Sequence, residues 1–236
     1  MKKYQKKICI ITSGRADYGL LRNLINRLYM SKRLKYHLSI TGTHLSLKHG
    51  YTLREILKDK TKVNSKVNIL NYDDSDLGVS KSFSQGVVKF SKLFKKYKPN
   101  IIIILGDKFE VFSAATAATL NKIPIAHIHG GEETIGAIDN VIRHSITKMS
   151  HVHFTSTDKY KKRVIQMGEN SKFIHHVGAL GLEDIHYFKF KSKEYFKKKY
   201  KLDFEKKTIL VCFHPVTLET DTSKLYIIKI LSALRI

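Results

Sequence analysis

Residues 101–120 read IIIILGDKFEVFSAATAATL, and this stretch decides the fold. Five aliphatic residues in a row cannot alternate between a wet and a dry face. A strand over 101–105 is therefore buried on both sides, as in a parallel sheet covered by helices. The run is far too short to span a bilayer. Gly106 and Asp107 break it, and the alanine-rich segment 109–120 has the composition of a helix. Strand, turn and helix in that order make the first part of a βαβ unit.

The same unit recurs on both sides. Upstream, residues 7–12 (KICIIT) form a β-branched run closed by Ser13-Gly14, which predicts a buried strand. Leu20, Leu21, Leu24, Ile25 and Leu28 have helical spacing over 19–30. A second strand is expected over 36–42, a short helix over 53–57 and a third strand over 63–70. Val79, Phe83, Val87, Phe90 and Phe94 mark a helix over 79–97, ended by Pro99. Downstream, strands are expected over 124–128, 152–155 and 173–178. Helices are expected over 139–149, with Asp139 as N-cap, and over 158–167, ended by Gly168. A charged helix or connector covers 194–200, a new strand 208–213 (TILVCF) and a helix 223–234. The order β-α repeated predicts an α/β, doubly wound parallel sheet. The lysine-rich stretch 189–207 then separates a first domain, 1–188, from the beginning of a second, 208–236.

Composition bounds the function. Hydrophobic residues make up 42% of 236, enough for a packed core and too many for a disordered tail. The formal charge of +23 invites a nucleic-acid or membrane partner. Yet of 43 basic residues only eight are Arg and 35 are Lys, scattered except over 189–207. Base readers rely on the bidentate guanidinium, so a lysine-rich background with no nucleic-acid partner is the expectation. The apolar stretch 8–11 is too short for a signal-peptide core, and the two cysteines, Cys9 and Cys212, build no disulfide framework. A cytoplasmic location, no membrane span, no metal and no cofactor are expected.

In open parallel sheets ligands bind beyond the carboxyl ends of the strands. Those positions carry Ser13-Gly14-Arg15-Ala16-Asp17-Tyr18-Gly19, Gly42-Thr43-His44, Gly106-Asp107-Lys108-Phe109-Glu110, and His129-Gly130-Gly131-Glu132-Glu133 followed by Asp139, Arg143 and His144. His214-Pro215 follows the last expected strand. Ionisable groups and glycines thus gather at one edge. Taken singly, each has an ordinary alternative. Asp107 serves as a helix N-cap, Glu132 and Glu133 as a solvated loop, Arg143 and His144 as surface residues, His44 as a loop residue, and His127 as a satisfied core residue. The 14–19 turn is neither a Walker A motif nor a dinucleotide fingerprint.

In order along the chain, SGRADYGL (13–20), GTHL (42–45), GDKFE (106–110), HIHGGE (127–132), AID (137–139), IRHSITKMS (142–150), VGA (177–179) and HPVT (214–217) resemble the hydrolysing UDP-N-acetylglucosamine 2-epimerases. The resemblance implies two Rossmann-like domains in the glycosyltransferase-B style, with a cleft between them. It also implies conversion of UDP-N-acetylglucosamine to free N-acetylmannosamine and UDP, feeding sialic-acid synthesis. The same reaction on a UDP-2,4-diacetamido sugar, for legionaminic acid, is the alternative. UDP leaves by elimination and water then adds, which needs acid–base groups on both faces of the ring and cations for the diphosphate.

By the resemblance, Asp107, Asp139 and His44 match catalytic positions. Arg15, Asp17, Arg143, His144 and His214 are candidates for substrate binding. Where some members have a catalytic Glu, this chain has His129, which leaves His129 and Glu132 as alternatives for that role. The resemblance also implies a homo-oligomer when whole and a full second domain, of which 208–236 holds only the start. Truncation and little turnover by this chain alone are therefore expected. Two other readings stand beside the enzyme: a basic binding module, and a glycosyltransferase of the same build.

Overall fold

The computed structural model describes residues 5–71, 73, 75–183, 185, 189–214 and 222–234. Chain order is β1 (Lys6–Thr12), α1 (Arg15–Met30), β2 (Leu34–Thr41), α2 (Leu53–Lys58), β3 (Ser65–Val67), α3 (Asp76–Tyr97), β4 (Ile101–Leu105), α4 (Phe109–Leu120) and β5 (Ile125–Ile128). It continues with α5 (Asp139–Met149), β6 (Val152–Thr155), α6 (Asp158–Gln166), β7 (Ile174–His176), α7 (Lys193–Tyr200) and α8 (Ser223–Ala233). The seven strands form one sheet in the order β3-β2-β1-β4-β5-β6-β7, and every pairing is parallel.

The expected two-sided burial is visible residue by residue. Cys9, Ile11, Ile102 and Ile104 face one core with Phe90, Phe94 and the alanines of α4. Ile8, Ile10, Ile103 and Leu105 face the other, with Leu21, Ile25, Leu38 and Ile40. Small side chains let α4 lie close to α3, where a Cβ added at Gly86 would come within 2.2 Å of Ser113 Oγ.

The strand order fixes where a ligand can sit. From β1 the chain winds outward to β3, then returns to place β4 on the other side of β1. The loops leaving β1 and β4 diverge there and open a crevice at the carboxyl edge.

The chain divides into two compact units. One takes in the residues up to Ile135 together with Asp139–Gly181, the other Gly136–Ile138 and the residues from Leu182 on. The strand expected over 208–213 is not present: residues 207–214 have no regular structure, and Ile209, Leu210 and Val211 are exposed. A β-branched run becomes a strand only when a neighbour completes its ladder, and among the described residues none pairs with it. The third strand is also shorter than expected, for the same reason: only Ser39 to Thr41 offers it partners. Pro215, Val216 and Thr217 lie outside the described residues.

Candidate active site

At the crevice, β1 delivers Ser13 and Gly14 into α1. The carboxylate of Asp17, one turn into that helix, accepts from the Ser13 N–H at 3.2 Å and the Ser13 hydroxyl at 2.6 Å. Lys108, from the turn after β4, reaches the same carboxylate at 3.2 Å. Asp17 is therefore a buried brace that ties the two diverging loops together.

Asp107 is not a helix cap. The N-cap of α4 is Lys108, which leaves the Asp107 carboxylate to pair with Arg143 Nη2. Arg143 is itself buried, on the inner face of α5. Its Nη1 donates to Glu132 Oε2 at 3.2 Å and to the His129 carbonyl at 3.3 Å, and its Nη2 also donates to Thr134 Oγ1 at 3.3 Å. One guanidinium thus gathers two carboxylates from two loops, in the planar fork geometry that Lys lacks. Burial pushes the Asp107 carboxyl up, while Arg143 pulls it down and Asp139 and Asp17 push it further up. Asp139 opens α5 as its first residue rather than capping it.

The loop after β5 adds the other members. Glu132 Oε1 lies 2.5 Å from Ser156 Oγ and 3.3 Å from His129 Nδ1. His129 has φ +63, in the left-handed region that a non-glycine residue adopts only when its surroundings hold it there. Burial lowers its pKa, with Glu132 opposing and Arg143 adding to the fall. The loop is clamped from α6: Arg163 donates to the Gly131 carbonyl and to Glu133 Oε2, both at 2.8 Å.

His44 is fully buried, its Nε2 3.0 Å from Thr12 Oγ1 and its Nδ1 2.8 Å from Thr52 Oγ1. Burial holds its pKa down at about 4, so the ring is neutral near pH 7. Glu110 closes the GDKFE segment, where the sequence gives it no role of its own. It is buried against Gly42, and burial lifts its carboxyl to about 7.

The crevice therefore brings together Asp107, Arg143, Glu132 and His129, and Asp139 and Asp17 act on Asp107 through space. His44 bonds to Thr12 and Thr52 instead. Other expected residues lie elsewhere. Arg15 is exposed and pairs with Glu55 at 3.4 Å. His144 turns its Nδ1–H to the Asn140 carbonyl at 2.8 Å and lines a groove with Val141, Lys148 and Met167 instead of the crevice. One residue step along a helix is about 100°, so the neighbour of an inward Arg143 faces away. His214 belongs to the second unit, where its Nε2 lies 3.2 Å from Cys212 Sγ. Ser13 and Lys108 stand in the post-strand segments without a role of their own in the sequence reading, and Ser156 and Arg163 lie outside those segments. Arg163 stands among many basic residues with nothing local to mark it, and only the packing of α6 against the loop singles it out. Among the described residues no group of three or more His, Cys, Asp or Glu side chains is placed to hold a metal ion. No described helix is long and apolar enough to cross a membrane.

A family model described as UDP-N-acetylglucosamine 2-epimerase matches residues 26–236. The chain is 40% identical over 220 residues to the GDP/UDP-N,N'-diacetylbacillosamine 2-epimerase (hydrolyzing) of Campylobacter jejuni, covering 93% of this chain and 57% of that protein. It is 35% identical to the UDP-N,N'-diacetylbacillosamine 2-epimerase (hydrolyzing) of Legionella pneumophila, covering 97% and 60%. The chain thus spans less than two thirds of the length of these relatives. Its fold matches the crystal structure of the UDP-GlcNAc 2-epimerase of Neisseria meningitidis bound to UDP-GlcNAc with a TM-score of 0.69, at 19% identity, covering 82% of this chain and 51% of that one.

Proposed function

The chain belongs to the UDP-N-acetylglucosamine 2-epimerase family, and from that membership we propose that it carries acid–base machinery of a hydrolysing 2-epimerase for a UDP-linked 2-acetamido sugar. The observation that carries this reading is the cluster of Asp107, Glu132 and His129 around Arg143 at the crevice. In the reaction, a base takes the proton from C2 as the C1–O bond to the diphosphate breaks. The electron pair forms a C1–C2 double bond and UDP departs. The hydroxyl of a water then adds at C1 and a proton is returned to C2 from the opposite face.

We assign the proton transfers to Asp107, Asp139 and the His129–Glu132 pair. A half-buried carboxyl with a raised pKa is a better proton carrier near neutrality than an exposed one. Arg143 holds the two carboxylates in place, one on each side of its guanidinium. His44 we assign as a positioning group, because both its ring nitrogens are occupied. Of the expected substrate contacts, Arg15, exposed in the first turn of α1, remains the proposed cation for the diphosphate.

The Campylobacter and Legionella relatives are named as N,N'-diacetylbacillosamine 2-epimerases, which favours a diacetamido sugar over N-acetylglucosamine. The test is run on the full-length protein, since little turnover is expected of this chain alone: incubation with UDP-N,N'-diacetylbacillosamine and with UDP-N-acetylglucosamine in heavy water. UDP release, a free inverted sugar and deuterium at C2 are expected, faster with the diacetamido substrate and lost in Asp107→Asn. Absence of UDP release from both sugars overturns the activity, and a preference for N-acetylglucosamine overturns the substrate assignment.

A further inference from the structure

His127 lies on β5 with its ring fully buried, two residues before His129 and one strand away from Asp107. Its Nε2 is 2.8 Å from the Gly106 carbonyl. A carbonyl only accepts, so Nε2 carries the proton and donates. In the neutral ring Nδ1 is then a bare lone pair. Thr147 Oγ1 has one proton and two acceptors before it: it donates to the Arg143 carbonyl at 2.9 Å and, as a three-centre bond, leans on that nitrogen at 3.2 Å. The ring therefore bridges two places that matter. Gly106, at φ +77, turns the chain into Asp107. Thr147 sits one helical turn after Arg143 on α5.

The space around the ring is full. A Cβ at Gly130 would come within 2.9 Å of His127 Nδ1 and 3.1 Å of Thr147 Oγ1. Burial holds the ring's pKa down at about 3, so it is neutral near pH 7, and the Gly106 carbonyl keeps its proton on Nε2.

We propose that His127 and Thr147 are positioning residues that fix the distance between the Gly106–Asp107 turn and the Arg143 turn of α5, and so set the Asp107–Arg143 pair. The imidazole is a rigid spacer and takes no part in proton transfer. The role rests on the site proposed above, and the experiment separates the two.

Thr147→Val removes the hydroxyl at constant shape, and Thr147→Ser keeps it. The first readout is the Nε–H resonance of Arg143, whose Nε is buried with no partner and so reports its surroundings. Thr147→Val is expected to shift it and to speed its hydrogen exchange about tenfold, while Thr147→Ser leaves it near wild type. In the same spectra the His127 ring is expected to hold its proton on Nε2 from about pH 5 to 8. The second readout is turnover of the UDP sugar by the full-length protein. Thr147→Val is expected to lower kcat about tenfold with KM nearly unchanged, and Thr147→Ser to restore it. An Arg143 resonance blind to Thr147→Val, or a His127 ring protonated on Nδ1 alone, overturns the proposal whatever the activity. A wild type that turns over no UDP sugar overturns the proposed activity, and the Arg143 resonance still decides the positioning role.

Discussion

Arg143 is the residue on which the site turns. It faces two carboxylates in a half-dry crevice, so its removal strands both of them. Arg143→Met is expected to abolish turnover and to destabilise the fold by about 3–5 kcal/mol in urea unfolding, because buried charges left unpaired cost more than the pair contributes. Single residues also set the pH response. His44 and His127 are held neutral down to about 4 and about 3. Below the ordinary histidine pKa of about 6.5 the unfolded chain takes up protons that the folded one refuses, so stability falls as pH drops from there. Glu110, lifted to about 7, acts in the other direction. Between its ordinary range and 7 the folded protein keeps a proton that the unfolded chain has lost, and stability falls as pH rises. Glu110→Gln should therefore match wild type in acid and exceed it by up to ~3 kcal/mol above pH 7, measured by chemical denaturation across pH.

At the scale of elements, the loop after β5 is held from three sides. Its backbone enters the sheet through His129 N–H to the Phe154 carbonyl at 2.9 Å, Ser156 meets Glu132, and Arg163 holds Gly131. Gly131 has φ +74, and a Cβ there would come within 2.6 Å of Val164 Cγ2 and 2.8 Å of the Tyr160 carbonyl oxygen. Gly131→Ala is expected to lower the thermal midpoint, at a cost of about 1–3 kcal/mol, and to reduce turnover by moving Glu132. The elements themselves were largely legible. β4, α4, α5 and β6 fall where periodicity and composition put them, because each is long enough or apolar enough for local pattern to decide. The strand over 208–213 failed because a strand's existence depends on its neighbour, which no local pattern encodes.

At the scale of the whole molecule, the first unit holds the entire sheet, and the second has no strand among its described residues. Residues 201–214 are largely exposed and without hydrogen-bonded ladders. Limited proteolysis is expected to cut in 189–214 first and to leave a fragment ending near Gly181 with its secondary structure intact, read by mass spectrometry and circular dichroism. Survival of 189–214 while the sheet unit is cleaved would refute this ordering. The candidate site was half legible at this scale. Asp107, His129, Glu132 and Arg143 were marked because they follow strands, and the carboxyl ends of parallel strands share one edge. Arg15 and His144 were marked by the same rule and lie outside the network. Position after a strand fixes which edge a residue is near, not which way its side chain turns.

The sequence alone determined the parallel α/β architecture, since aliphatic runs that do not alternate require helices on both faces. It also determined the family, through short motifs kept in one order. Tertiary structure decided which ionisable groups meet. Asp107 and Arg143 are 36 residues apart, and Lys108 and Asp17 are 91 apart. Only the reversal of strand order between β1 and β4, and the rotation of α5 about its axis, bring those partners within bonding distance.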